Sequence, residues 1–125
     1  MLKDHDSSAI VAVTDLERAR AFYSDTLGLE LEGETDGDMP LTYRTGATRL
    51  VVYPSDHAGT NRSNAVVWGV GDEIDAIVAA LEAKGVTFEH YSDIGTLEGN
   101  IHVVGDARLV WLADPDGNIL HINNF

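Results

Sequence analysis

A segment of this chain occurs twice. Val13-x-Asp15 leads to Gly28, and Val70-x-Asp72 leads at the same spacing to Gly85, so the two copies lie 57 positions apart. The match runs on through Ala19/Ala76, Leu29/Val86, Leu31/Phe88 and Glu32/Glu89. In a chain of 125 residues, a repeat on this scale means two copies of one supersecondary unit, each about half the protein, packed to share a core or a cleft.

Each copy reads as a strand, a helix and further strands. Ala9 to Val13 is continuously apolar and largely β-branched, as expected of a buried strand. Asp15 is a good N-cap, and Leu16, Ala19, Phe22, Tyr23 and Leu27 recur at helical spacing until Gly28 supplies a left-handed end. Leu29–Glu32, Pro40–Arg44 and Arg49–Tyr53 follow as strands. The polar, turn-rich residues 54–63 then form a joint. In the second copy Ala65–Val70 is a strand and Asp72 caps a helix with the apolar face Ile74, Ile77, Val78 and Leu81. Val86–Glu89 alternates, Ser92–Asp106 is expected to loop out, and Ala107–Ala113 with Ile119–Ile122 makes a final hairpin. Its turn, Asp114-Pro-Asp-Gly-Asn118, suits a type I turn with a bulge. The expected fold is therefore α+β, a single domain over 1–125 made of two tandem βαβββ modules. Module 1 covers about 7–54, a linker about 55–63 and module 2 about 64–124, with a curved mixed sheet around a cleft.

Composition narrows the partners. The apolar share of 44% is enough for a real core, and 8 basic against 21 acidic side chains give a net charge of −13. Such a field repels nucleic acid and anionic lipid and favours neutral or cationic partners. The absence of cysteine removes disulfides, thiolate metal sites and a cysteine nucleophile. No apolar run approaches a membrane span and no signal-peptide pattern opens the chain, so a cytoplasmic location is expected.

The strand ending in Val13-x-Asp15, Phe22-Tyr23 with Leu27-Gly28-Leu29, the second Val70-x-Asp72 and the Asp114–Asn118 turn entering a last strand together resemble the vicinal oxygen chelate superfamily. That superfamily contains glyoxalase I, extradiol dioxygenases, and fosfomycin and bleomycin resistance proteins. The resemblance spans nearly the whole chain and implies two βαβββ modules around a cleft, usually in a homodimer. In metal-dependent members, the resemblance implies ligands seven residues before each Val-x-Asp aspartate and on the last strand of each module. Those positions fall here on Ser8, Ala65, Val51 or Val52, and His121. Only His121 binds a divalent metal well, whereas catalytic sites normally supply about three protein ligands. No metal or other cofactor is expected.

If Asp114 and Asn118 close the hairpin, Trp111 faces His121 across it, and Ala113 faces Ile119. An indole beside an imidazole suits a planar ligand, with His121 as hydrogen-bond partner. His102 lies in the glycine-bearing loop with Gly95, Gly99 and Gly105, and a lid there would carry it over the cleft. Tyr53 and Ser8 complete the expected ligand-binding set of Ser8, Tyr53, Trp111, His121 and His102. Arg49 and Arg108 stand among few basic residues and are read as exposed strand arginines. No phosphate loop, nucleophile elbow or dinucleotide fingerprint occurs. The sequence thus points to a metal-free small-molecule-binding protein, binding a planar or cationic compound in the cleft between modules. Its alternatives are a lyase or isomerase of the same fold acting through His121, and a protein whose filled cleft serves association with another protein.

Overall fold

The computed structural model describes residues 1–33, 37 and 39–125. Within it the chain forms two compact units, Met1–Asn61 and Arg62–Phe125. The architecture is α+β, with one mixed sheet in each unit.

In the first unit β1 (Ala9–Val13) leads into α1 (Leu16–Arg20), which continues as a π-helical turn over Ala21–Thr26. The helix starts at Asp15 because its side chain accepts the N–H groups of Glu17 and Arg18, two donors that the first turn leaves without a partner. It ends where Gly28 turns the chain at φ +71°. Three strands follow, β2 (Glu30–Leu31), β3 (Leu41–Thr45) and β4 (Thr48–Pro54), in the order β1-β4-β3-β2. β1 and β4 are parallel, and the other pairs antiparallel. The alternation places Val11, Val13, Leu41, Tyr43, Leu50 and Val52 on one face, and all six are buried. Ala19 and Tyr23 from the helical segment are buried with them, and the Tyr43 hydroxyl is satisfied by Ser24 Oγ at 3.0 Å. Tyr43 is thus a core residue rather than a wall of a site.

The second unit repeats this plan and adds to it. β5 (Asn64–Gly69) is followed by a 3-10 turn over Gly71–Glu73, then α2 (Ile74–Ala83) and β6 (Thr87–Glu89). The expected cap at Asp72 does not form. Asp72 lies inside the 3-10 turn, and α2 begins after Glu73 with no side-chain cap, because Gly71 at φ +57° starts the turn one step early. The segment expected to loop out is instead a hairpin, β7 (Thr96–Glu98) and β8 (Ile101–Val104). Its glycines mark turns, not slack: Gly95, Gly99 and Gly105 all have positive φ, and a Cβ on Gly95 would lie 2.3 Å from the Val103 carbonyl oxygen. β9 (Ala107–Ala113) and β10 (Ile119–Asn123) close the unit.

The order β5-β10-β9, with β6 also on β9, matches β1-β4-β3-β2 strand for strand once the added hairpin is set aside. β9 is flanked on one edge by β10 and on the other by β6 and β8 placed end to end. The β9–β10 turn follows the expected chemistry. Gly117 donates to the Asp114 carbonyl at 3.0 Å and takes φ +85°, while the Asp114 carboxylate accepts the N–H groups of Asp116 and Asn118. Val110, Leu112, Leu120 and Ile122 form the buried face of this sheet, and Ile74, Val78 and Leu81 of α2 lose their water in the same unit. No helix among the described residues is long and apolar enough to cross a membrane.

Candidate functional site

The two sheets can be read position against position, because the repeat and the strand registers agree. Ile10 lies beside Val51, Val51 beside Thr42, and the Glu32 amide donates to the Thr42 carbonyl at 2.8 Å. In the second unit Val67 lies beside His121, His121 beside Trp111, and Trp111 beside Glu89. Ile10 and Val67, like Glu32 and Glu89, are 57 positions apart. Val51, and not Val52, is therefore the counterpart of His121, and Thr42 is the counterpart of Trp111.

The first row is bland. Ile10 is exposed, Val51 and Thr42 are half-buried, and Glu32 is held by Arg49, whose Nε lies 2.6 Å from its carboxylate. The neighbouring Arg44 bonds Glu30 on the same face at 2.8 Å. Ser8 is exposed just before β1, and Tyr53 is half-buried on the face of Ile10 and Val51. Arg49 is thus an ion-pair partner, and Arg108 is another: its guanidinium bonds the Asp75 carboxylate and lies 3.8 Å from that of Glu98.

The second row is the centre of an aromatic and imidazole cluster. The rings of Trp111 and His121 stack with centroids 4.6 Å apart and planes 21° from parallel. Tyr91 meets Trp111 edge to face at 5.2 Å, and His102 does the same at 5.0 Å. Trp111 is 7% exposed and His121 9%, so the indole face that the sequence offers to a ligand is already covered by the imidazole. Both nitrogens of His121 are engaged. Nδ1 is 2.9 Å from the Val110 carbonyl, which can only accept, so it carries the proton. Nε2 then accepts from the Asn123 side-chain amide at 3.3 Å.

His102 sits on no lid. It is 1% exposed on β8, where pairing with Leu109 turns it to the face that carries Trp111, and Nε2 accepts the backbone N–H of Tyr91 at 2.9 Å. That bond ties down the second residue after β6 and so positions the Tyr91 ring. It leaves the proton on Nδ1, which is buried with no hydrogen-bond partner among the described residues; the ring as a whole stands edge to face with the indole. His90, on the surface, has a different role: Nε2 pairs with Asn100 Oδ1 at 2.8 Å, and Asn100 in turn donates to Glu82, fastening the hairpin tip to α2.

Two residues missing from the sequence reading belong to this cluster. Tyr91 and Glu89 are its half-open members, both less buried than Trp111, His102 and His121. Burial, and then the negative charge of Glu89, push the Tyr91 hydroxyl above its usual pKa. The signal for Glu89 was present in the repeat as the Glu32/Glu89 match, but its meaning needs the strand register that sets it opposite Trp111.

The donor set does not fit a metal ion. Of the positions expected to carry ligands, Ser8 is a weak donor, Ala65 and Val51 have none, and both nitrogens of His121 are already bonded. Among the described residues no three His, Asp or Glu side chains gather as ligands would.

Known proteins bear on the same arrangement. Residues 7–122 match the description of the Glyoxalase/Bleomycin resistance protein/Dioxygenase superfamily. Over 111 residues the chain is 32% identical to a biphenyl-2,3-diol 1,2-dioxygenase of Sphingomonas paucimobilis, covering 86% of this chain and 34% of that enzyme. The chain thus spans about a third of the length of this relative. Among solved structures, a glyoxalase family protein from Enterococcus faecalis superposes with a TM-score of 0.73 at 18% identity, over 98% of this chain and 99% of the other. A lactoylglutathione lyase from Agrobacterium tumefaciens gives 0.71 at 20%, over 95% and 92%. A fosfomycin resistance protein from Mesorhizobium loti gives 0.70 at 12%, over 98% and 92%. At such identities the structures share a fold.

Proposed function

Given that the chain belongs to the glyoxalase/bleomycin resistance protein/dioxygenase superfamily, we propose that it is a metal-free member that binds a small planar or cationic molecule on the second sheet, where Trp111 and His121 stack. The observation that carries this reading is the state of His121. It is the single strong donor at the positions where metal-dependent relatives are expected to hold their ion, and both its nitrogens are committed to Val110 and Asn123. Coordination would require breaking one of these bonds at a buried site, leaving a polar partner without a bond.

In this reading Trp111 and His121 form the rigid floor of the site, Tyr91 and Glu89 its open rim, and His102 a support that holds Tyr91 in place. The same bonds weigh against the lyase or isomerase alternative through His121, since a general base needs an available nitrogen at the reacting atom. A cytoplasmic homodimer completes the reading, the dimer resting on the family.

The test is metal analysis of the protein purified without chelators, together with thermal unfolding before and after dialysis against one. The expected outcome is far less than one ion per chain and an unchanged midpoint. Near-stoichiometric zinc, nickel, manganese or iron overturns the reading.

A further inference from the structure

We propose that Glu89, Tyr91 and Trp111 form a recognition corner for an organic cation with quaternary or delocalised positive charge. This rests on the small-molecule reading above and narrows it to a class of ligand.

The argument comes from the difference between the two halves. Glu32, the residue just past β2, and Glu89, the last of β6, are counterparts, each at the end of its four-residue row. In the first unit Arg49 neutralises Glu32 from the same face, at 2.6 Å. The registers carry Arg49 onto Ile119 and Arg44 onto Ala113, so the second unit lacks both arginines and keeps the carboxylate. Among the described residues no lysine, arginine or histidine forms an ion pair with Glu89; the pairs of Lys3, Arg44, Arg49 and Arg108 all lie elsewhere.

What replaces the cation around Glu89 is aromatic. Trp111 lies directly opposite it on the same face, and Tyr91, two residues on, packs its ring against Trp111. Its charge is felt at the Tyr91 hydroxyl. A half-buried carboxylate beside the half-buried ring of Tyr91, which the enclosed indole backs, supplies a net negative charge together with an aromatic surface, the combination that attracts weakly hydrated organic cations. Hard metal ions are poorly served there, because one carboxylate and a phenol that holds its proton are too few oxygen donors to complete a shell. The overall charge of −13 draws cations to the molecule.

The test is calorimetric titration with 1-methylquinolinium as the planar cation and quinoline, neutral at pH 8, as its uncharged counterpart. Three proteins are compared: the unaltered chain, Glu89→Gln, and Glu32→Gln as the matched change in the other half. Among the described residues Glu89 has no ion pair to lose, so Glu89→Gln should keep its unfolding midpoint, which is checked on the same samples. The expected result is that the cation binds the unaltered chain, that Glu89→Gln weakens it by about tenfold or more, and that Glu32→Gln leaves it unchanged. Quinoline should bind at least about tenfold more weakly than the cation. Equal affinity for both probes overturns the cation assignment while leaving a small-molecule site in place. A Glu89→Gln protein that binds like the unaltered chain, or no binding of 1-methylquinolinium at all, overturns it as well. Metal content decides the broader reading separately.

Discussion

Tyr91 shows how much a single side chain here depends on its neighbours. Burial comes first and the Glu89 carboxylate second in lifting its hydroxyl above the ordinary 10.0. A group that holds its proton more tightly when folded gives a stability contribution that is intact below its unfolded pKa. It is lost as pH rises through the folded value, because the unfolded chain releases the proton first. Stability should therefore be flat in this term at neutral pH and decline above about pH 10. Phenolate absorbance should show Tyr91 titrating late, and Glu89→Gln should move it part of the way back, leaving the shift due to burial. Trp111 is the second case. It is enclosed by His121, Tyr91 and His102, so Trp111→Ala removes packing on three sides and should cost about 3–5 kcal/mol in denaturant unfolding. A loss below about 1 kcal/mol would show the indole to be loosely held.

At the scale of elements, the two helix starts separate what a sequence signal can and cannot tell. Val-x-Asp is repeated, yet Asp15 caps α1 through two backbone bonds and Asp72 makes none to α2. Asp15→Ala should lower stability by about 1 kcal/mol, and Asp72→Ala should stay within about 0.5 kcal/mol of the unaltered chain. Two strands were legible to the residue: Ala9–Val13 and Ala107–Ala113 have the bounds that the sequence suggests, while the expected Ala65–Val70 runs over Asn64–Gly69, and the Asp114–Asn118 turn fixes Trp111 opposite His121. The β7–β8 hairpin was hidden because its strands are short, its edge strand is exposed throughout, and its glycines mimic a loop. His102 was misread with it, since only pairing to β9 turns that side chain inward. Gly95→Ala tests the hairpin's seat. The new methyl would meet the backbone of Val103 at a residue already at φ +57°, so the change should cost more than about 1 kcal/mol and speed amide exchange along β8.

For the whole molecule, the duplication explains why fold was more readable than function. A repeated scaffold leaves its trace in the spacing of Val13, Asp15 and Gly28 against Val70, Asp72 and Gly85, whereas the chemistry lies in what differs between copies. The substitution of Arg49 by Ile119 is visible only after two strands are in register. With a net charge of −13, association with any cation should weaken as sodium chloride rises, and titrations at several salt concentrations measure this. An affinity indifferent to salt would mean that the surface field takes no part. The strand β9 carries a last consequence. It is bonded along one side by β10 and along the other by β6 and then β8, with Trp111 near the seam between the latter two. A backbone clamped on both edges has little room to adapt, so a guest resting there meets a surface set before it arrives. Recognition at such a place selects by shape, and little ordering entropy is left to lose on binding.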